Sequence, residues 1–287
     1  MTEPVRDPHS GYLTTGHVWN GITELNSPVP RTVWGFFWVT HIAAFVILIL
    51  WPAIPLWSSA TKGLLQTDQH IEVNAAVASM ADSRSIWADK IAAMPVAEIQ
   101  ADIALMAIVR GTGATLFATN CAACHGKGAA GGPGFPNLTD GDWLWGNDPA
   151  IIMETLRVGI NSAHPDSRTA QMIGFGHDEL LTKDQIAILV PYVRDLSKAA
   201  RVADPSGARL FAENCASCHG ENARGLIEVG APNLTDDVWL YGGDVGAIRA
   251  TLWNGRMGLM PSWETRLTEV NRKILTLYVL DKAEVAP

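Results

Sequence analysis

The chain has 287 residues, 48% of them hydrophobic and only 17% charged, with a formal net charge of −8 and a mean hydropathy of +0.11. That length suits two or three small domains rather than one large core, and so lean a charge content calls for a membrane segment. The stretch up to Thr32 carries three acidic and two basic residues and Val33 to Trp57 carries none, leaving −7 of the −8 beyond Trp57. An acidic region of this kind argues against nucleic acid as a partner and permits docking of a basic protein.

Residues 1–32 are a polar leader to the first apolar run, Val33 to Trp57, which reads VWGFFWVTHIAAFVILILWPAIPLW. About 20 apolar residues cross a bilayer as a helix, so 33–57 is expected to be a transmembrane helix. Trp34, Trp38, Trp51 and Trp57 sit toward its ends as an aromatic belt, and Pro52 and Pro55 are expected to end it. A cleavable signal would have a shorter apolar core nearer the start, so the segment reads as an uncleaved anchor in the lipid bilayer. His41, an ionisable residue inside the span, is expected to hydrogen-bond a neighbouring helix rather than bind a cofactor.

Residues 58–107 form a helical connector. Asp82 is placed as the cap of a short helix to Met94, and Pro95 starts another with Val96, Ile99, Ile103, Met106 and Ala107 at helical spacing.

All four cysteines lie in two copies of one motif, Cys121-Ala-Ala-Cys124-His125 and Cys215-Ala-Ser-Cys218-His219. C-x-x-C-H is the attachment site of a c-type haem: two thiols on one helical turn form thioethers, and the next residue offers its imidazole to the iron. Zinc would want a second ligand pair at finger-like spacing, whereas the motifs lie 94 positions apart. A redox dithiol would want a βαβ context, which the sequence lacks. Two covalently bound haem c groups are therefore expected.

The remainder is an internal duplication. Gly113-Ala-Thr-Leu-Phe117 recurs as Gly207-Ala-Arg-Leu-Phe211, and Pro136-Asn-Leu-Thr-Asp140 as Pro232-Asn-Leu-Thr-Asp236. Trp143-Leu-Trp-Gly146 recurs as Trp239-Leu-Tyr-Gly242, and each copy closes on a helix-like stretch with Tyr192 or Tyr278. The expected domains are 108–200 and 203–287, joined near Ala203-Asp204-Pro205. Trp143, Trp145, Trp239 and Trp263 are candidates for the walls of the haem pockets.

Each copy resembles a class I cytochrome c domain. The resemblance implies a mainly α fold: one N-terminal transmembrane helix followed by two tandem domains of that class. In each domain an opening helix with Gly-x-x-x-Phe crosses a closing helix with an aromatic. It pairs Gly113 and Phe117 with Tyr192, and Gly207 and Phe211 with Tyr278. It also makes the Pro136 and Pro232 carbonyls the acceptors that orient His125 and His219. The sixth ligand is expected on the loop before the closing helix: Met172 in the first domain and Met260, in Gly258-Leu-Met-Pro261, in the second. A thioether opposite histidine raises the haem potential. Met257 is the alternative to Met260; His164 and His177 are the alternatives to Met172; Met153 reads as core.

The segment Thr15-Gly-His-Val-Trp-Asn-Gly-Ile22, then Glu24 to Arg31, is similar to the start of the di-haem subunit of cbb3-type cytochrome c oxidases. With Val18, Thr32 and Val33 as small departures, the resemblance covers essentially the whole chain. It implies a relay without a catalytic centre of its own, since no cluster of membrane histidines is present to bind copper. Electrons would pass from a donor cytochrome c or a cytochrome bc1 complex to the mono-haem and catalytic subunits, where oxygen becomes water. The implied setting is a bacterial inner membrane, with 1–32 cytoplasmic and the haem domains periplasmic. Rival readings are a free-standing carrier or dehydrogenase subunit, a di-haem peroxidase and a gas sensor; two methionine ligands argue against the last two.

Overall fold

The computed structural model describes residues 3–198 and 204–285, which fall in two compact units, Met1–Ser83 and Arg84–Pro287. The expected boundaries at 200 and 203 lie outside the described residues.

The first unit opens with a hairpin of β1 (Thr14–Trp19) and β2 (Ile22–Leu25) that the sequence reading did not call. Its two-residue turn is Asn20-Gly21, with φ of 49° and 85°. Both are left-handed, as the turn favoured by twisted strands requires, and Asn-Gly is the pair that tolerates it. Helix α1 (Arg31–Leu50) follows. It stops before Pro52 because Trp51, the residue preceding a proline, is forced extended at φ −109° and ψ 160°. Its 20 residues span about 30 Å, the thickness of a hydrocarbon core. None of them is buried within the protein, so an apolar helix of this length finds its solvent in lipid. His41 Nδ1 donates to the Phe37 carbonyl one turn back (2.8 Å), and the imidazole stacks on Phe37 at 3.8 Å. Nδ1 is thus satisfied within α1.

Helix α2 (Gln69–Ala93) runs unbroken through Asp82, which is not a cap. Pro95 does precede a helix, the short α3 (Val96–Ala101), and Asp102 then caps α4 (Ile103–Asn120), its carboxylate accepting from the amides of Ala104 and Leu105 at 3.0 Å. Of the apolar connector positions, Ile99 and Met106 are buried, whereas Ile103 and Ala107 face outward.

In the second unit each repeat contributes four helices. The first has α4, α5 (Ala122–His125), α6 (Pro149–Val158) and α7 (Lys183–Arg194); the second has α8 (Pro205–Asn214), α9 (Ala216–His219), α10 (Val245–Asn254) and α11 (Glu269–Val285). Mainly helical architecture, with an apolar N-terminal helix and two cytochrome c modules, is as expected. The pairing of the closing helices is not. A Cβ added to Gly113 would lie 2.7 Å from Cβ of Tyr278, and one added to Gly207 would lie 2.7 Å from Cβ of Tyr192. Phe117 packs on Tyr278 at 5.7 Å and Phe211 on Tyr192 at 5.9 Å. Each opening helix therefore crosses the closing helix of the other repeat. Three hydrogen bonds from Arg110 to the Asp281 carboxylate (2.6–3.1 Å) tie α4 to α11, and Lys273 Nζ caps the Met94 carbonyl at 2.6 Å.

Two cores result. One joins Phe117 and Leu156 of the first repeat to Trp263, Leu275 and Tyr278 of the second; the other joins Phe211 and Leu252 to Phe175, Leu189 and Val190. The crossing α7 on α8 is made by helices adjacent in sequence, which keeps its loop-closure cost low.

Because glycine is what lets these helices touch, Gly113→Leu overpacks the crossing and is expected to cost about 1–3 kcal/mol. In a double-mutant cycle followed by denaturant unfolding, Gly113→Leu couples to Tyr278→Ala and is additive with Tyr192→Ala. The Asp102 carboxyl is held below its ordinary 3.8 by the Leu105 amide first and by Lys90 second. A depressed folded value means stability that is present above the unfolded pKa and lost as pH falls through the folded one. Asp102→Ala is therefore expected to lower the melting temperature at pH 7, with the difference from the parent chain vanishing in acid below that range.

Candidate functional site

Both Cys-x-x-Cys-His segments are built the same way. Cys121 ends α4 and Cys215 ends α8, each with φ widened to −115° or −118° but ψ still helical at −33° or −31°, so that α5 and α9 start as one further turn carrying the second cysteine and the histidine. Gly126 and Gly220 stop those turns with φ of 75° and 78°, a conformation glycine adopts without penalty. The chain then folds back. The amide of Leu138 donates to the Ala129 carbonyl and that of Leu234 to Ala223, both at 2.8 Å. Asn137 and Asn233 close the following turns by accepting from the amide and hydroxyl of Thr139 and Thr235 (2.7–2.9 Å).

This return brings Pro136 O within 3.0 Å of His125 Nδ1, and Pro232 O within 3.0 Å of His219 Nδ1. A carbonyl only accepts, so Nδ1 carries the proton and Nε2 keeps its lone pair. Burial holds both imidazoles below the usual histidine range, opposed by the proline carbonyls, which keeps them neutral and able to ligate. Cys121 and Cys215 are pushed up to about 11, by burial first and by the neighbouring Cys124 or Cys218 thiol second. No group of three or more His, Cys, Asp or Glu side chains converges among the described residues. Two thiols, an oriented neutral imidazole and an apolar wall are the donor set of a covalent haem, and the residues fit it twice.

Met172 and Met260 each pack against residues of the other repeat. Met260 packs against the first core, with Cys121, Ala122, Leu138 and Trp143; Met172 packs against the second, with Cys215, Ala216, Leu234 and Trp239. Each methionine thus lies in the core of the other repeat's cysteine motif. Trp263 goes with Met260 into the first core, where it is 6% exposed. The alternatives fare worse. Met257 is 67% exposed. His164 uses both ring nitrogens, Nε2 with Glu264 at 2.8 Å and Nδ1 accepting from the Asp166 amide at 3.0 Å. His177 has an exposed side chain bonded to Asp178. Met153 is half-buried on α6.

Two arginines escaped the sequence reading. Arg256 lies over the Tyr241 ring at 4.4 Å with Nε on Thr251; Arg168 lies over Trp145 at 4.8 Å with Nε on Thr155. The pairs are equivalent, yet Arg256 directly follows the cap glycine Gly255, whereas Arg168 reaches its place through the extra residues after Gly159. Aligning the two cap glycines would have exposed that insertion. Arg157 stabilises it with bonds to Glu154, Asp166 and Glu264 (2.8–3.1 Å).

Residues 11–58 match the model of the N-terminal domain of cytochrome oxidase-cbb3, FixP. Residues 111–197 match cytochrome c, and 202–279 match cytochrome c oxidase, cbb3-type, subunit III. The cbb3-type cytochrome c oxidase subunit FixP of Bradyrhizobium sp. (strain ORS 278) is 45% identical over 95% of each chain. The subunits named CcoP from Cereibacter sphaeroides and Azospirillum brasilense are 42% and 41% identical, over 93% of each chain and over 97% and 98%, respectively. With an apolar anchor helix, two cytochrome c modules and this likeness along nearly its whole length, the chain belongs to the FixP/CcoP family of cbb3-type cytochrome c oxidase subunits.

Proposed function

We propose that this chain is the membrane-anchored di-haem relay of a cbb3-type oxidase, taking electrons from a donor cytochrome c or cytochrome bc1 complex toward the mono-haem and catalytic subunits. The observation that carries the reading is the duplicated cradle, in which the half-buried His125 and buried His219 imidazoles are each held by a proline carbonyl at 3.0 Å beside paired thiols. Haem c, when bound, supplies one-electron exchange between ferrous and ferric iron.

The chain's own residues do the rest. Cys121, Cys124, Cys215 and Cys218 hold the two groups covalently. His125 and His219 ligate through Nε2, and their Nδ1 bonds fix the ring planes and raise ligand basicity. Met172 and Met260 supply soft thioether ligands that favour the reduced state and complete both coordination spheres, so neither site is left open for oxygen or peroxide. Buried Trp263, Phe117 and Phe211 keep water away from the cradles, which limits reorganisation on electron transfer. Helix α1 anchors the relay in a bacterial inner membrane, with its N-terminus cytoplasmic and the haem modules periplasmic, the side on which c-type haem is attached.

Affinity purification through a tag on this chain tests the reading. Two c-type haems on this polypeptide by mass and haemochrome spectrum, co-purifying with b-type haem and copper, are expected; removing residues 1–57 moves it from the membrane to the soluble fraction. Recovery of this chain alone, without b haem or copper from gently solubilised membranes, would overturn the oxidase assignment.

A further inference from the structure

We propose that Arg272 is a fixed positive charge that raises the reduction potential of the haem held by Cys121, Cys124 and His125, and of that haem alone. The inference rests on the reading of both cradles as haem sites. It names a residue by which two cradles of one design come to differ as electron acceptors.

The two closing helices start in the same register. Leu181-Thr182 leads into α7 and Leu267-Thr268 into α11. Thr182 Oγ1 accepts from the Gln185 amide and Thr268 Oγ1 from the Asn271 amide, both at 3.2 Å. One residue on, the Ile186 and Arg272 amides donate to the Thr182 and Thr268 carbonyls, both at 3.0 Å. Tyr192 and Tyr278, the tyrosines of the two crossings, follow at the same interval. Ile186 and Arg272 are therefore equivalent positions, and both are buried, at 2% and 9% exposure. One core has an aliphatic side chain where the other has a guanidinium.

That guanidinium is not neutralised. Its Nη1 donates to the carbonyls of Leu267 (2.6 Å) and Glu264 (3.2 Å), and its Nε has no partner. Carbonyls orient a cation without cancelling its charge. Arg110, Arg157, Arg194 and Arg209 each reach a carboxylate, whereas no ion pair among the described residues includes Arg272. The Glu264 carboxylate turns instead to Arg157 and His164. Arginine keeps its proton in proteins, so the charge is permanent.

An unpaired buried charge costs stability, and Ile186 shows that an apolar side chain serves this position. The turn that Arg272 touches does not need it either. Leu267 N closes that turn on Trp263 O at 2.9 Å, and the first repeat closes its own, Leu181 N on Phe175 O at 2.9 Å, beside an isoleucine. The charge is accounted for by what it acts on. Leu267 and the flanking Ile274 and Leu275 belong to the core that also holds Cys121, Leu138 and Trp263. Oxidation of a haem there adds a positive charge to the same apolar volume. Like charges repel more strongly across protein than across water, and salt screens buried ones little. Arg272 thus disfavours the ferric state in the first core, and Ile186 has no such effect in the second.

Redox titration of the full-length, haem-loaded chain, followed optically, tests this. Arg272→Met removes the charge and leaves an apolar side chain. It is expected to lower one of the two haem midpoints, at high salt as at low. At a fixed potential the reduced-to-oxidised ratio of that haem falls about three- to tenfold, the size of one charge acting across a small core at the effective dielectric of protein. Arg272→Lys, in mild acid where a buried amine holds its proton, keeps the parent midpoint. With Cys215→Ala/Cys218→Ala, which leaves only the first cradle able to hold haem, the shift remains; with Cys121→Ala/Cys124→Ala it disappears. Where a single-haem chain does not fold, NMR of the intact chain makes the assignment: Leu138 resonances follow the shifted haem and Leu234 resonances the other. Unchanged midpoints, an equal shift in both haems, a shift confined to the second cradle, or a lysine variant that falls as far as the methionine one would overturn the proposal. So would an Arg272→Met chain that no longer folds, since the arginine would then be structural. None of these results touches haem count or co-purification with b haem and copper, which carry the relay reading; a parent chain that binds no haem would overturn both.

Discussion

The crossing of an opening helix over a closing helix, with glycine against tyrosine, is the contact on which everything else in the haem-bearing unit depends. Gly113 lets α4 lie on Tyr278, and Gly207 lets α8 lie on Tyr192. From that single constraint the rest follows in order. Cys121 and Cys215 are placed at the ends of the crossed helices, the next turn delivers His125 and His219, and the returning Pro-Asn-Leu strands aim the imidazoles. Because each crossing uses one helix from each repeat, neither core is complete without residues from both.

That interlocking has an energetic consequence. Burying Phe117 beside Trp263 and Tyr278 makes the first repeat's core conditional on the last third of the chain. Each fully buried aromatic contributes on the order of 2–3 kcal/mol through removal from water, a large share of the net stability of a domain. Two cores that share helices in this way unfold together rather than one after the other. A rigid, concerted scaffold suits electron transfer, in which ligands must hold still while only charge moves.

Much of the functional site was legible in the sequence, for physical reasons that differ by feature. The cysteine motifs were readable because thioether attachment dictates spacing, and Pro136 and Pro232 through the resemblance to class I cytochrome c domains, where the proline carbonyl orients the imidazole. The anchor was readable because lipid tolerates so few compositions, although its end at Leu50 rather than Trp57 was decided by the proline at 52 and its effect on Trp51. The partner of each closing helix was not legible. Both repeats carry the same Gly-x-x-x-Phe and tyrosine surfaces, so pairing within a repeat and pairing between repeats have the same local chemistry. What distinguishes them is chain connection: the short path from α7 to α8, and the extra residues after Gly159 that carry Arg168 to the place Arg256 takes directly. The Asn20-Gly21 turn carries a hairpin signal in the pair itself, but its short strands are polar and exposed and lack the alternating apolar pattern that marks a half-buried strand.

The most direct measurement of the central claim is an experimental density map of the haem-loaded chain within its native membrane complex, at a resolution that shows side chains. The account predicts Tyr278 against Gly113 and Tyr192 against Gly207, with the Pro136 and Pro232 carbonyls against the haem-ligating histidines. Density placing Tyr192 against Gly113 and Tyr278 against Gly207 would contradict it.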